Sequence, residues 1–518
     1  MAFARVACRA QVGLNAPLVQ VEVSLAAGLP TFCIVGLPAM VVREAKERVR
    51  AALLNSRFEF PAGRITVSLA PADLPKEGGR FDLPIALGIL LASRQIKAPA
   101  GEAAGAACER REFYGELGLT GELKPVRGLL PAAVEAGRSG HELIVPRANA
   151  PEACVVAPQL VRAADTLLEV CGHVVGTAPL PAERPAAQPA ASGAAATPAA
   201  RSGQPDLAEV RGQLHAKRAL LIAAAGAHSL LMIGPPGAGK SMLARRLPGL
   251  LPPLTADEAL EVAAIASVSA RGFRAASLGE RPFRAPHHTA SPAALVGGGA
   301  RTRPGEVSLA HHGVLFLDEL PEFDRGVLDT LREPLETGVM AISRAERRTE
   351  YPASFQLVAA MNPCPCGRLG DPAGSCRCTP AQVRRYRGRI SGPLLDRLDL
   401  HVEMPRVPAG DFRRSGTGTP GSREAALVVA QARCVQLARQ GTCNARLTDA
   451  GVECWCPPDE RGRQLLDTAM ERLGLSARGR QRVLKVARTI ADIEGRTTIA
   501  AAQVSEALTL RCLDRLPG

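Results

Sequence analysis

The residues best suited to chemistry form a glycine-rich loop near the middle of the chain, directly after the apolar run 230–233. The pattern G-x-x-x-x-G-K-[ST] is matched by Gly234, Pro235, Pro236, Gly237, Ala238, Gly239, Lys240 and Ser241. Glycines let backbone N–H groups surround phosphate oxygens, while the lysine reaches the terminal phosphates and the serine hydroxyl ligates Mg²⁺. The loop therefore predicts a site for ATP and Mg²⁺.

Two acidic residues follow a second apolar run, 314–317. Asp318, at the end of a predicted buried strand, is placed to hold Mg²⁺ together with Ser241. Glu319 is placed to polarise an attacking water. An apolar run followed by two acids is a weak signal alone, but its position after the phosphate loop predicts nucleotide hydrolysis.

Three further polar residues are candidates for the same chemistry. Asn362 ends the apolar run 357–361, and it would hold the attacking water or the γ-phosphate; the alternative is a turn before Pro363. Arg397 and Arg478 are candidate cations for the charge of the transition state. For each arginine the alternative is an exposed side chain or a surface ion pair.

Four cysteines are closely spaced at Cys364, Cys366, Cys376 and Cys378. Four thiolates suit a tetrahedral structural Zn²⁺ site, and the alternative is four free thiols in a loop. The adjacent pairs His287-His288 and His311-His312 are predicted to be loop or capping residues, because neighbouring side chains rarely face one ligand.

Composition limits the class of protein. The chain has 518 residues with 63 Lys and Arg against 50 Asp and Glu, a formal charge of +13 that favours an anionic partner such as DNA. No apolar run reaches the ~20 residues of a membrane span. The first residues lack the pattern of a signal peptide, and 14 cysteines are too sparse for a disulfide framework. A cytoplasmic location is therefore expected.

An alanine- and proline-rich linker is predicted at 178–205, with 11 Ala and 6 Pro in 28 positions. Apolar patterning predicts strands at 18–25, 34–37, 65–70, 113–120, 142–146, 229–233, 313–317 and 355–360. It predicts helices at 41–54, 83–91, 130–139, 424–439, 460–473, 477–493 and 499–510. The alternation of strands and helices predicts an α/β fold with a largely parallel sheet.

Arginines cluster at two places that suit an anionic substrate. Arg344, Arg347 and Arg348 lie in a predicted hairpin before the strand that carries Asn362, where they would bind DNA phosphates; the alternative is a solvated turn. A second cluster, at 384–389, would bind DNA or form a charged surface between subunits.

Several motifs together resemble the magnesium-chelatase-like ComM/YifB group of AAA+ ATPases: PPGAGKS (235–241), LFLDE (315–319), AAMNPCPCG (359–367) and SGPLLDRLD (391–399). The resemblance implies a hexamer with ATP sites between subunits, where Arg397 would come from the neighbour and Arg478 would be the sensor of a helical lid. It also implies that residues 206–213 pack near the adenine. The function implied is branch migration of single-stranded or branched DNA during natural transformation, in company with recombination proteins. The alternatives are a magnesium-chelatase-type motor subunit and a protein-remodelling ATPase.

The first segment resembles a Lon-protease-like α/β fold, on the run YGELGLTGELKPV (114–126). A Lon-type protease needs a serine nucleophile and an activating lysine. Serine is absent from 76–82 and lysine from 127–131, where the resemblance would place them, so protease activity is not expected. The predicted domains are a Lon-like module (1–177), the linker, an AAA+ core (206–408) and a helical lid (409–518).

Overall fold

The structure, a computed structural model, describes residues 2–37, 39–96, 108, 110–183, 205–299, 302–344, 347–371, 374, 376–407, 421–511 and 513. It divides into two compact units, Met1–Ala191 with Ala263–Leu278, and Ser192–Val262 with Gly279–Gly518. Most of the predicted linker, residues 184–204, lies outside the described residues. Among the residues described, no helix has the length and apolar character that a membrane span requires.

The first unit is built on a seven-stranded sheet. The strands of this unit are β1 (Ala2–Arg9), β2 (Leu18–Ala26), β3 (Thr31–Val35), β4 (Arg64–Ala70), β5 (Arg111–Phe113), β6 (Glu116–Leu117), β7 (Leu123–Lys124), β8 (Glu142–Pro146) and β9 (Val161–Ala164). The sheet order is β3-β4-β2-β1-β5-β8-β9, while β6 and β7 form a separate hairpin. Strands β1, β2 and β4 pair antiparallel and the outer pairs are parallel, so this sheet is mixed rather than largely parallel.

Helices cover this sheet. They are α1 (Met40–Asn55), α2 (Asp82–Ala92), α3 (Leu129–Ser139), α4 (Ala150–Ala153) and α5 (Leu167–Val175). Helix α2 is buried along its whole length because it packs on β1 and β2. The absence of a side chain at Gly88 permits this approach, since a Cβ there would lie 2.5 Å from Val23 Cγ2.

The strand predicted at 113–120 is wrong as one element, because β5 ends at Phe113 and β6 begins at Glu116. Between them the backbone of Gly115 bonds to the start of α2 rather than to a strand: Leu83 N donates to Gly115 O at 3.1 Å. This tertiary contact takes the chain out of the sheet. The predictions at 18–25, 65–70 and 142–146 are confirmed to within a residue.

The second unit contains a five-stranded sheet and two short hairpins. Its strands are β10 (Leu230–Ile233), β11 (Phe283–Arg284), β12 (Gly297–Gly298), β13 (Arg303–Pro304), β14 (Val314–Leu317), β15 (Val339–Arg344), β16 (Arg347–Pro352), β17 (Gln356–Met361) and β18 (Leu400–Glu403). The sheet order is β11-β14-β17-β10-β18 and every pairing is parallel. Strands β10, β14 and β17 are buried on both faces, as expected for unbroken apolar runs in a parallel sheet.

Helices of the second unit flank this sheet and continue to the end of the described chain. They are α6 (Leu214–Gly226), α7 (Lys240–Ala244), α8 (Leu247–Leu250), α9 (Ala256–Val268), α10 (Pro292–Val296), α11 (Glu306–Leu309), α12 (Arg325–Thr330), α13 (Arg332–Thr337), α14 (Pro380–Arg387), α15 (Gly392–Leu395), α16 (Ser422–Gln440), α17 (Asp449–Trp455), α18 (Glu460–Leu473), α19 (Ala477–Ile493) and α20 (Ala501–Thr509). The predicted bounds of α18 and α19 are confirmed, and Ser476 caps α19 by accepting from Gly479 N. From Ala263 onward, α9 belongs to the first unit. The α/β class is confirmed.

Candidate active site

Three neighbouring strands bring the predicted phosphate-binding residues together. Strands β14, β17 and β10 are adjacent and parallel, so the residues that follow them meet at one edge of the sheet. They enclose a cavity of about 320 Å³ lined by Pro236, Gly237, Ala238, Gly239, Lys240, Ser241, Met242, Asp318, Glu319, Met361 and Asn362. A cleft at the carboxyl ends of parallel strands is the usual ligand site of open α/β sheets.

The loop after β10 keeps an open cradle. Gly237 and Gly239 have φ angles of 78° and 92°, in the left-handed region that favours glycine. A Cβ at either position would have no atom within 4 Å, so the space beside the loop is free. This geometry fits a chain of phosphates lying against backbone N–H groups at the start of α7.

Lys240 points into the loop from the start of α7. Its Nζ donates to Gly234 O at 2.6 Å, to Pro235 O at 3.1 Å and to Asn362 Oδ1 at 3.1 Å. Burial lowers the pKa of Lys240, and the carboxylates of Asp318 and Glu319 oppose that shift. The ammonium is therefore held beside the cradle by neutral acceptors that phosphate oxygens can replace.

The residues predicted to hold Mg²⁺ are in contact with each other. Ser241 Oγ donates to Asp318 Oδ2 at 2.5 Å. A hydroxyl and a carboxylate are oxygen ligands of the kind that Mg²⁺ takes together with phosphate and water. The two side chains therefore fit a magnesium site next to the cradle.

Glu319 has a partner that the sequence does not indicate. Its backbone is left-handed, with φ of 52°, and about half of its side chain is exposed. The Nδ1 atom of His288 lies 3.2 Å from Glu319 Oε2. The ring of His288 packs edge-on against the ring of Phe323. The loop after β11, which is distant in sequence, therefore contacts the Glu319 carboxylate that is predicted to polarise water.

Arg397 and Arg478 line a different cavity of the second unit, of about 600 Å³, together with Glu336, Arg482 and Lys485. Neither arginine is among the described residues that line the phosphate cavity. Arg397 is nearly buried; its guanidinium donates to Pro393 O at 2.7 Å and pairs with Glu336. Arg478 therefore shares its surroundings with Arg397 and not with the chain's own phosphate loop.

A buried carboxylate fixes the backbone at Arg397. Asp399 accepts from Ser229 N at 3.1 Å and from the guanidinium of Arg482. Ser229 Oγ and Arg482 Nη1 also donate to the carbonyl of Arg397, at 2.9 and 3.1 Å. Burial alone would raise the pKa of Asp399, but Arg482 and His228 outweigh it and hold that pKa well below its usual range.

The segment 206–213 contacts the phosphate loop. Gln213 Nε2 donates to Ala238 O at 3.2 Å and to Pro405 O at 2.6 Å. Arg246 Nε donates to Asp206 O at 2.6 Å, which ties the start of the segment to the chain that follows α7. These contacts place the segment beside the phosphate loop.

The predicted arginine hairpin is formed by β15 and β16, whose register pairs Arg344 with Arg347. The side chains of Arg344 and Arg347 lie outside the described atoms. Arg348 is 68% exposed and pairs with Glu350 at 3.0 Å. Tyr351 on the same hairpin donates to Thr302 O at 2.8 Å, which joins it to the glycine-rich hairpin of β12 and β13.

Two arginines of the 384–389 cluster have structural partners. Arg387 donates to Pro363 O at 3.2 and 3.1 Å, and Arg389 pairs with Glu322 at 2.8 Å. Arg384 and Arg385 are exposed on α14. The cluster is therefore partly a support for the chain that follows Asn362.

The four predicted cysteine ligands converge. The Sγ atoms of Cys364, Cys366 and Cys376 lie 3.4 to 3.7 Å apart, and all four sulfurs, with Cys378, lie within 4.8 Å of one another. None of these four cysteines forms a disulfide.

The prediction that neighbouring histidines face different ways is wrong for His311 and His312. Both Nε2 atoms lie 2.9 Å from Glu261 Oε2, because His312 has a φ of 54° that turns its ring back. Ser354 N donates to His311 Nδ1 at 2.9 Å, so the proton sits on Nε2 and bonds to Glu261. His311 thus has no free Nε2 lone pair for a metal.

Structural contacts occupy the places where a Lon-type protease would carry its serine and lysine. Arg80 is buried and donates to Gln11 Oε1 at 2.9 Å and to Arg127 O at 2.5 Å. Asp82 accepts from Arg48 Nε at 2.7 Å. These side chains connect parts of the first unit.

Sequence models of three families match the chain. Magnesium chelatase, subunit ChlI, matches residues 206–412, the C-terminal part of subunit ChlI matches 420–511, and subunit ChlI of Mg-chelatase matches 21–149. The competence protein ComM of Haemophilus influenzae is 48% identical over 516 residues, covering 100% of this chain and 99% of that protein. The uncharacterized protein YifB of Escherichia coli is 47% identical over 518 residues, covering 100% and 98%.

More distant similarity is confined to part of the chain. The magnesium-chelatase 67 kDa subunit of Heliobacterium mobile is 27% identical over 225 residues, covering 38% of this chain and 30% of that protein. The full-length matches therefore cover the sequences of both units.

Proposed function

The chain belongs to the magnesium-chelatase-like AAA+ ATPase family that includes ComM and YifB. We propose that it is a hexameric motor that drives the branch migration of DNA. Its nucleotide is ATP with Mg²⁺, as the family and the cradle together indicate. The observation that carries the proposal is that the charged groups expected to act on ATP lie in two separate cavities. Phosphate-loop and acidic residues share one cavity, while Arg397 and Arg478 line another.

The polar residues of the phosphate cavity would each have one task in hydrolysis. Lys240 exchanges its carbonyl acceptors for phosphate oxygens, and the backbone N–H groups of the loop hold the remaining oxygens. Ser241 and Asp318 would hold Mg²⁺, which would neutralise charge on the phosphates. Glu319 polarises the attacking water, and Asn362, bonded to Lys240, positions it.

We assign Arg397 and Arg478 to the ATP site of a neighbouring subunit. A cation beside the terminal phosphate stabilises transition-state charge. Because both arginines line the same cavity and neither lines the chain's own phosphate cavity, both would serve the adjacent site. Arg478, expected to be the sensor of a helical lid, would then serve the same neighbouring site as Arg397, and a closed ring would be necessary for full activity.

DNA is the proposed substrate, through the hairpin of β15 and β16. The chain carries a formal charge of +13, and the hairpin exposes arginine at its end. Arginines that contact phosphates bind without reading sequence, as a motor on branched DNA requires. The name of the Haemophilus relative, a competence protein, favours a role in natural transformation and recombination in the cytoplasm. The first segment, 1–177, would then be a non-catalytic module, followed by the linker 178–205, the core 206–408 and the lid 409–518.

ATP hydrolysis with and without forked DNA, across a salt series, tests the proposal. DNA should stimulate hydrolysis at low salt, and Lys240→Ala should abolish both nucleotide binding and hydrolysis. Arg348→Ala should weaken DNA binding and make it less salt-dependent, by about one phosphate contact per subunit. Arg463→Ala is the matched control, since Arg463 is also exposed and paired with an acid, Glu460.

Mixed rings test the assignment of the arginines. Arg397→Ala and Glu319→Gln should each lose hydrolysis while binding nucleotide. Mixing the two proteins should restore part of it, because some interfaces then combine an intact Glu319 with an intact Arg397. Hydrolysis that is robust but indifferent to DNA would reject the DNA motor and favour a chelatase-type or protein-remodelling motor, which the partial match to the magnesium-chelatase 67 kDa subunit makes the second candidate.

A further inference from the structure

The chain after Asn362 forms a loop without regular secondary structure in its described residues. Residues 363–371, 374 and 376–379 contain neither helix nor strand. Of the side chains described there, few are buried, and the thiol of Cys364 is one of them. Long loops without structure of their own are uncommon inside compact domains. A bound metal would further restrict the conformation of such a loop.

The four sulfurs have the spacing of a metal tetrahedron. With Zn–S bonds of about 2.3 Å, the edges of a regular ZnS₄ tetrahedron are about 3.8 Å long. The observed Sγ–Sγ distances are 3.4 Å (Cys364–Cys366), 3.7 Å (Cys364–Cys376) and 3.6 Å (Cys366–Cys376).

The same loop supports the phosphate loop. Gly367 follows the first two cysteines and has a φ of 75°. A Cβ at Gly367 would lie 2.7 Å from Pro236 Cδ and 3.0 Å from Pro236 Cγ, so the two loops are in close contact. At the start of the loop, Pro363 O accepts from Arg387, while the preceding Asn362 bonds to Lys240.

We propose that Cys364, Cys366, Cys376 and Cys378 bind one structural Zn²⁺ and that this zinc loop holds Pro236 and Asn362 in the conformation that binds ATP. Four thiolates close the coordination sphere, so the metal binds no substrate. Its effect on ATP passes through two contacts, Gly367 with Pro236 and Asn362 with Lys240. The coupling to ATP rests on the proposed function, whereas the metal content does not.

Metal analysis of the full-length protein tests the first part of the proposal, the binding of zinc by the four cysteines. Protein purified without chelator should contain one zinc per chain, and four thiols should become reactive when the metal is released. Cys376→Ser and Cys378→Ser should each lose the zinc. Cys434→Ser, which changes an exposed cysteine on α16, is the matched control and should retain it. Absence of zinc, with no stoichiometric uptake of added Zn²⁺ by the reduced protein, would overturn the proposal.

Measurement of nucleotide affinity tests the second part of the proposal, the effect of zinc on ATP binding. Release of zinc should weaken binding of a fluorescent ATP analogue about tenfold, and added Zn²⁺ should restore it. Gly367→Ala should keep the zinc but weaken the same binding, because its methyl group would displace Pro236. Normal affinity in zinc-free protein and in Gly367→Ala would overturn the coupling. In a further outcome, the protein contains zinc while neither the wild type nor Lys240→Ala binds nucleotide. That result would reject the proposed ATPase and leave the zinc site intact.

Discussion

Replacement of Asp399 by asparagine should separate the support of Arg397 from the chemistry of the ATP site. Asparagine keeps the size of the side chain and one oxygen that Ser229 N can reach, but it removes the negative charge that faces Arg482. Because Ser229 and Arg482 also hold the carbonyl of Arg397, the variant should loosen that arginine without touching the phosphate loop. Hydrolysis should fall while ATP affinity stays unchanged.

The loss of stability in Asp399→Asn depends on how deeply the ion pair of Asp399 and Arg482 is buried. Removing one partner of a buried ion pair costs about 3–5 kcal/mol. Asp399 is 8% exposed, but Arg482 keeps 23% of its side-chain surface in water, which screens part of the loss. We therefore expect Asp399→Asn to lower the free energy of unfolding of the second unit by about 2–3 kcal/mol.

The pH dependence has a defined sign. The pKa of Asp399 in the folded protein lies well below its usual range, whereas the unfolded chain takes up the proton near pH 4. The advantage of wild type over Asp399→Asn should thus be complete above about pH 5 and shrink as the pH falls below about 4.

Denaturant unfolding followed by the fluorescence of Trp455 measures this effect. Trp455 is the single tryptophan of the sequence and lies on α17 in the second unit. Asp396→Asn, an identical chemical change at an exposed position three residues earlier, is the control and should leave the transition unchanged. Equal unfolding midpoints for Asp399→Asn and wild type at pH 7, or a difference that grows on acidification, would refute this account.

Three further predictions use the same logic. Glu319→Gln should trap bound ATP and keep DNA affinity while hydrolysis, measured by phosphate release, falls at least about a hundredfold, as expected for loss of a general base; near-normal turnover would remove Glu319 from that role. His288→Ala should raise DNA-independent kcat by up to about fivefold with KM unchanged, because a partly exposed contact worth about 0.2–1 kcal/mol no longer holds Glu319; a fall in kcat would mean that His288 orients the carboxylate. Glu112→Gln should destabilise the first unit by about 3–5 kcal/mol in calorimetry, since Arg9 loses its buried counter-charge, and a melting transition identical to wild type would contradict this.

The phosphate cavity was predictable because its signals are local. Each of the runs before Gly234, Asp318 and Asn362 is apolar and ends abruptly in residues that suit phosphate or metal. Parallel strands place such ends side by side, which is what β10, β14 and β17 do. Only the pairing order, with β17 between the other two, required the structure.

The contacts that were missed depend on loops and on tertiary competition. His288 reaches Glu319 through the path of the loop after β11, and no residue type or spacing marks that path. The two histidines before β14 converge because of one left-handed backbone angle at His312, which pattern analysis cannot assign. The strand predicted beyond Phe113 failed because α2 takes the hydrogen bond of Gly115.

Strand β17 shows why control of the ATP site should come from the loop beyond it. Its backbone is paired on both sides, with β14 and β10, and every residue is buried. The chain before it is fixed as well, because Ser354 bonds to His311 and His312 through its N–H and its carbonyl. A densely packed strand held in this way does not shift smoothly. Movement of Asn362 should therefore arise in the cysteine-containing segment that follows, where the proposed Zn²⁺ would set the conformation.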